Sequence, residues 1–124
     1  MIIDTSVLLA IFFDETHGAW AAQVIAQSPS IPRMSTVNLT ETLILLEDRQ
    51  PKRFKSLRKK LLNSGIEFVA PDVKQSTLAA SARLKYPLNL GDCFAYALSK
   101  LHECPLLTLD HDFQKTDCQL HAFP

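Results

Sequence analysis

MIIDTS, residues 1–6, is a short apolar run stopped by an acid and two hydroxyl residues. PLLTLDHDF, residues 105–113, repeats the construction near the other end, with Asp110 in the stopping position. Asp4, Thr5 and Ser6 are good helix caps, so residues 1–3 read as a strand and residues 7–13 as a short helix behind it. Working outward, residues 16–27 read as a second helix with Trp20 and Val24 inward, stopped by Ser28-Pro29-Ser30. Residues 31–34 are a short strand. Ser35 or Thr36 then caps an apolar helix over residues 37–47. Pro51 suits the first turn of the next helix, where Phe54, Leu57 and Leu61 share one face and Asn63-Ser64-Gly65 is the stop. Residues 66–70 are a strand, and a helix from Asp72 runs toward Lys85. Gly91-Asp92 opens a helix to about His102. Residues 106–109 are a strand, 110–114 a helical turn, and 118–122 a last edge strand. Short apolar strands alternating with helices predict a parallel sheet covered on both faces. Ligands of such sheets bind beyond the carboxyl ends of the strands, where Asp4 and Asp110 both fall.

The chain has 124 residues, the length of one domain, and 47% of them are hydrophobic, which excludes a disordered chain. Its formal charge is zero, so bulk charge names no partner. The distribution is more telling, because seven of the 13 Lys and Arg residues fall between Arg49 and Lys60. Cys93, Cys104 and Cys118 are odd in number and widely spaced, with no CxxC, and read as reduced thiols of a cytoplasmic protein. No basic leader or long apolar segment marks a signal peptide or membrane span. The first strand starts at Met1, so the chain is expected to be complete at that end. No repeat, linker or low-complexity tract interrupts it.

Four acids occupy comparable places: Asp4, Glu41 in VNLTETLILL, Asp92 in NLGDCFAYALSK, and Asp110. An α/β fold can gather them at one end of a sheet. Crowded carboxylates repel one another and resist desolvation, so gathering them without basic partners points to a divalent metal. A two-metal site, its ions about 3.5–4 Å apart, stabilises both oxygens of an in-line phosphoryl displacement. Mg²⁺ and Mn²⁺ take such oxygen ligands. Thr5 or Ser6 would orient a carboxylate or a water from a second layer, and Asp112 is a fifth acidic candidate. Each acid also has a plainer reading. Asp4 and Asp110 suit helix caps, and Asp92 suits the positive end of a helix. Glu41 is harder to dismiss, since it stands in an apolar helix one turn from Val37 and Leu45. Asp117 reads as a turn residue.

These segments resemble the PIN-domain ribonucleases, in particular the VapC toxins of bacterial toxin–antitoxin pairs. The resemblance spans nearly the whole chain and rests on MIIDTSVLLAIFFDE, VNLTETLIL, NLGDCFAYALSK and CPLLTLDHDFQKTD, of which GDCFAYALSK is the most specific. It implies a single PIN domain over residues 1–124, a three-layer α/β/α sandwich with about five parallel strands. It implies an acidic pocket for Mg²⁺ or Mn²⁺ in which Asp4, Glu41, Asp92 and Asp110 are catalytic and Asp4, Asp92 and Asp110 hold metal. One departure stands out. Asp110-His111-Asp112 replaces a glycine followed by two acidic or amide residues, so Asp110, Asp112 or both serve the fourth position.

The resemblance further implies an RNA substrate, a homodimer, and a cognate VapB-type antitoxin laid across the apolar helices. Lys52, Arg53, Lys55, Arg58 and Lys59 are candidates for RNA phosphate contact, the alternative being a solvated helix face. Three rivals are a haloacid-dehalogenase-type phosphatase, a phosphate-accepting receiver domain, and a catalytically inactive PIN-like RNA- or protein-binding module. The first needs DxD after the first strand, where this chain has Ser6 two past Asp4. The second places paired acids before its phosphorylated Asp and a Lys late in the chain.

Overall fold

In the computed structural model, which describes residues 1–122, four strands form one sheet: β1 (Ile2–Ile3), β2 (Arg33–Ser35), β3 (Glu67–Val69) and β4 (Leu106–Leu107). Six helices accompany them: α1 (Thr5–Phe12), α2 (Gly18–Ala26), α3 (Thr36–Arg49), α4 (Phe54–Leu62), α5 (Val73–Lys85) and α6 (Leu90–His102). A 3₁₀ turn covers His111–Lys115.

Successive residues of a strand face opposite ways, and two-residue strands are enough to serve both cores. Ile3 and Leu107 enter a cluster with Val7, Met34, Leu46 and Leu61, beneath α1 to α4. Ile2 and Leu106 enter the opposite cluster with Ala79, Leu98 and Phe113, beneath α5 and α6. All four strand residues are fully buried, each worth about 1.5–3 kcal/mol in removed apolar surface. The result is the expected three-layer arrangement.

The strand order is β3-β2-β1-β4, with every pairing parallel. The chain lays down β1, β2 and β3 in one direction, then crosses back through α5 and α6 to place β4 on the free side of β1. The order therefore reverses between β1 and β4, and the crevice beyond their carboxyl ends is the natural binding place of such a sheet.

Several boundaries differ from the sequence reading. The expected fifth strand over residues 118–122 is reduced to one parallel bridge, Leu106 with Leu120. β4 stops at Leu107 because its next amides go to side chains: Leu109 N–H donates to Ser6 Oγ at 2.9 Å and Asp110 N–H to Thr108 Oγ1 at 3.0 Å. α2 starts at Gly18 rather than residue 16. His17 before it is left-handed, with φ 69°, and Gly18 lies so close to the Ala10 carbonyl that a Cβ would not fit. Pro51 stands in a turn before α4, not inside it. Among the described residues, no helix is long and apolar enough to cross a membrane.

Candidate active site at the β1–β4 crevice

Asp4 ends β1 and caps α1, its Oδ1 accepting from Val7 N–H at 3.4 Å. Ser6 Oγ donates to the same oxygen at 2.6 Å, and Thr108 Oγ1 donates to Oδ2 at 2.5 Å. The side chain is almost fully buried. Burial pushes its carboxyl up to about 7; the Ser6 and Thr108 hydrogen bonds pull it down, and the charge of Asp92 raises it. Both readings of Asp4 hold at once, as cap and as crevice carboxylate. Thr108 was not singled out by the sequence reading. Its only sequence signal is its place between β4 and Asp110.

Glu41 lies on the second turn of α3. Its Oε1 accepts from Thr5 Oγ1 at 3.1 Å and from Asn38 Nδ2 at 3.0 Å. Asn38, one turn earlier, is buried and also donates to the Gly91 carbonyl at 3.0 Å. The Glu41 carboxylate rests directly on the Cα of Gly91, leaving no room for a Cβ there. Asn38 and Gly91 thereby bring Glu41 to the first turn of α6. Neither residue had been assigned this part, although the i, i+3 spacing of Asn38 and Glu41 is a usable signal.

Asp92 occupies that first turn in a reciprocal capping box: its Oδ2 accepts from Asn89 N–H at 3.2 Å, while Asp92 N–H donates to Asn89 Oδ1 at 2.8 Å. Burial lifts its carboxyl to about 6; the Asn89 amide lowers it, and the charges of Asp110, Glu41 and Asp112 raise it. Asp110 caps the 3₁₀ turn, accepting from Asp112 N–H at 2.9 Å. Asp112 is half-exposed and pairs with Lys115 at 3.6 Å. Its charge nonetheless reaches Asp92, as those of Asp110 and Glu41 do.

The structure thus brings Asp4, Glu41, Asp92 and Asp110 into one electrostatic neighbourhood, with Asp92 as the common member. Among the described residues, no group of three or more acidic, His or Cys side chains closes around one point. The donor set is nonetheless all oxygen. Mg²⁺ is commonly held by one or two carboxylates with water and phosphate completing its shell, so these residues fit such an ion without a preformed cage. A cleft of about 650 Å³ opens alongside, lined by Ser6, Leu9, Asp14, Thr16, Arg49 and Leu109.

The basic segment lies elsewhere. Lys52 and Arg53 sit in the turn before α4, with Lys55, Arg58 and Lys59 on its exposed side. Arg58 lies over the Phe54 ring, its Cζ 5.4 Å from the centroid. α3 carries the chain about 12 Å from Glu41 to Arg49 at 1.5 Å per residue, so the segment flanks the crevice at a distance. Asp117 is more than a turn residue. Tyr96 Oη donates to it at 2.7 Å and Lys100 Nζ at 3.0 Å, and these bonds hold its carboxyl down at about 2.

The family model of the PIN domain matches residues 1–118. The chain belongs to the PIN-domain family. Within it, the full-length likeness is to VapC ribonucleases. The chain is 36% identical over 126 residues to a Ribonuclease VapC of Mycolicibacterium smegmatis, covering 94% of this chain and 96% of that one. It is 35% identical over 133 residues to Ribonuclease VapC30 of Mycobacterium tuberculosis, covering both chains fully. Among solved structures, Mycobacterium tuberculosis VapC20, described as a sarcin-ricin loop cleaving toxin, superposes with a TM-score of 0.78 at 16% identity, covering 94% of this chain and 95% of that one. A toxin–antitoxin complex from Klebsiella pneumoniae gives 0.77 at 19% identity, covering 98% and 95%. At these identities the superpositions speak for the fold.

Proposed function

We propose that this protein is an endoribonuclease dependent on Mg²⁺ or Mn²⁺, the toxin half of a VapBC-type pair. One observation carries the reading: at the reversal point of the sheet, two carboxyls are lifted to about 7 and about 6 by burial and by neighbouring negative charge. Such a cluster is costly for a fold to keep, and a divalent ion turns the cost into affinity. The full-length likeness to VapC ribonucleases supports the same reading.

Asp4, Asp92 and Asp110 would hold the ion, with Glu41 completing the acidic set. When bound, the ion polarises phosphate oxygens and lowers the pKa of water. The chain's own contribution is orientation. Ser6 and Thr108 fix both oxygens of Asp4. Thr5 and Asn38 fix Glu41. The Asn89 and Asp112 amides fix Asp92 and Asp110. Lys52, Arg53, Lys55, Arg58 and Lys59 supply positive charge for RNA phosphates, which an acidic crevice otherwise repels. The protein works as a homodimer and is held by a VapB-type antitoxin.

The test is cleavage of a structured-RNA pool by the purified protein, with Mg²⁺ or Mn²⁺ and with EDTA. Metal-dependent cuts that vanish in Asp4→Asn and Asp92→Asn, both still folded, are the expected result. Cleavage retained in both variants removes the site assignment. Metal binding without cutting favours a binding module.

A further inference from the structure

The cleft of about 650 Å³ begins where the acidic crevice ends. Ser6 and Leu109 line it, and both are tied to the acids. Ser6 Oγ donates to Asp4 Oδ1 at 2.6 Å and accepts from Leu109 N–H at 2.9 Å, and Asp110 follows Leu109 in the chain. Leu9 of α1 adds an apolar wall. The corner between α1 and α2 contributes Asp14 and Glu15, and the last residue of α3 contributes Arg49. That corner is held in one shape. Glu15 N–H donates to the Ala10 carbonyl at 2.8 Å and Gly18 N–H to the Glu15 carbonyl at 3.0 Å, while Asp14 and His17 are left-handed, with φ 51° and 69°. Such backbone is unfavourable for residues that carry a Cβ, and folds keep it mainly where a site needs it.

Three charged side chains thus share one cleft, yet none pairs with another. Among the described residues Arg49 makes no ion pair; its guanidinium lies on the Phe13 ring instead, Cζ 5.3 Å from the centroid. The Asp14 and Glu15 carboxylates likewise have no ion-pair or hydrogen-bond partner among the described residues. We infer, on the ribonuclease reading above, that this cleft takes one guanine base of the RNA, stacked on Arg49 and held at its Watson–Crick edge by the carboxylates of Asp14 and Glu15.

Unpaired RNA bases stack on arginine planes and are read along their edges. Arg49 is exposed, so with Phe13 behind it the guanidinium keeps a side for a base. Ionised carboxylates only accept hydrogen bonds. Guanine sets two donors, N1–H and N2–H₂, side by side. On adenine and cytosine the amino group stands next to a bare ring nitrogen, which repels a carboxylate. A phosphate is a poor occupant, because the same two carboxylates repel it. Helical rise carries Arg49 about 12 Å from Glu41, so the base belongs to a nucleotide beside the reacting phosphate. Arg49, Asp14 and Glu15 therefore set sequence preference and take no part in the chemistry.

The test uses the whole Asp4→Asn protein, so that bound RNA is not cut, and two labelled probes: an oligouridine with one central guanosine, and the same RNA with adenosine in its place. Affinity is read by fluorescence anisotropy over a salt series. The guanosine RNA should bind at least about fivefold more tightly. Adding Arg49→Lys, which keeps the charge and removes the plane, should weaken it roughly 3- to 30-fold with an unchanged salt slope. Adding Asp14→Asn together with Glu15→Gln should erase the preference for guanosine, and asparagine tolerates the left-handed backbone of Asp14. All three side chains are exposed, so melting should change little. Equal affinity for the two RNAs would overturn the inference. Full binding by the Arg49→Lys protein would do the same, since charge alone would then suffice. A parent protein that binds neither RNA would overturn the ribonuclease reading and the guanine site together.

Discussion

The hydroxyl of Thr108 donates to Oδ2 of Asp4 at 2.5 Å across 104 positions of sequence. The same Thr108 oxygen accepts from the Asp110 amide at 3.0 Å. One side chain therefore couples the acid after β1 to the acid after β4. Thr108→Val keeps the shape and removes both bonds, leaving buried polar atoms unpaired. A loss of about 1–3 kcal/mol is expected, read by denaturant unfolding. Because the Thr108 bond lowers the Asp4 carboxyl, its pKa should rise further in the variant, as followed by carboxyl-carbon NMR.

Stability should fall as pH rises through the weakly acidic range. The Asp4 carboxyl stands at about 7 in the folded protein against an ordinary 3.8, and Asp92 is raised in the same direction to about 6. The folded state holds these protons more tightly than the unfolded chain. Their contribution is whole below the ordinary value of 3.8 and is lost as pH passes the raised values. Mg²⁺ favours the charged carboxylates, so its gain in melting temperature should be larger near about pH 8 than near about pH 5. An equal gain at both would show that the ion binds away from these acids.

Gly91 makes a third test because two effects oppose each other there. Alanine in a helix is favoured over glycine by roughly 1 kcal/mol, yet a Cβ at Gly91 meets the Glu41 carboxylate. Gly91→Ala should destabilise by about 1–3 kcal/mol, the usual cost of overpacking. Glu41→Ala in the same chain should recover most of that loss. A double-mutant cycle measures the coupling, and additive effects would show that the two residues do not touch.

Charge reversal at Lys55 and Lys59 probes the basic segment. Both are exposed, so melting should change little. RNA affinity of the Asp4→Asn protein should drop, and the dependence of log affinity on log salt should become shallower by about one per lost phosphate contact. An unchanged slope would assign the segment to solvent.

Much of the fold was legible because its elements punctuate themselves. Ile2-Ile3 and Leu106-Leu107 are bare apolar pairs followed by caps, and Ser35 and Asp72 mark helix starts with side-chain hydrogen bonds, while α6 is capped by Asn89, just ahead of the Gly91-Asp92 start read from the sequence. Asp4 and Asp110 were legible for the same reason, since each follows a strand and caps the helical segment behind it, whereas Glu41 stands inside α3 and Asp92 inside the first turn of α6. What was not legible depends on partners distant in sequence. Thr108, Asn38 and Gly91 acquire their parts only from Asp4 and Glu41. Asp117 looked like a turn until Tyr96 and Lys100 were found on it. The fifth strand shrank to the single Leu106–Leu120 bridge, and β4 itself ends at Leu107, where the following amides turn to Ser6 and Thr108.

The strand order also sets a timetable. β1 is made before the other described elements, yet its neighbour β4 is the last strand among the described residues. Asp4 cannot meet Thr108 or Asp110 until nearly the whole chain has been made. A chain that stops short of β4 lacks Asp110 and the Thr108 hydroxyl that ties it to Asp4, so the crevice closes up late in synthesis.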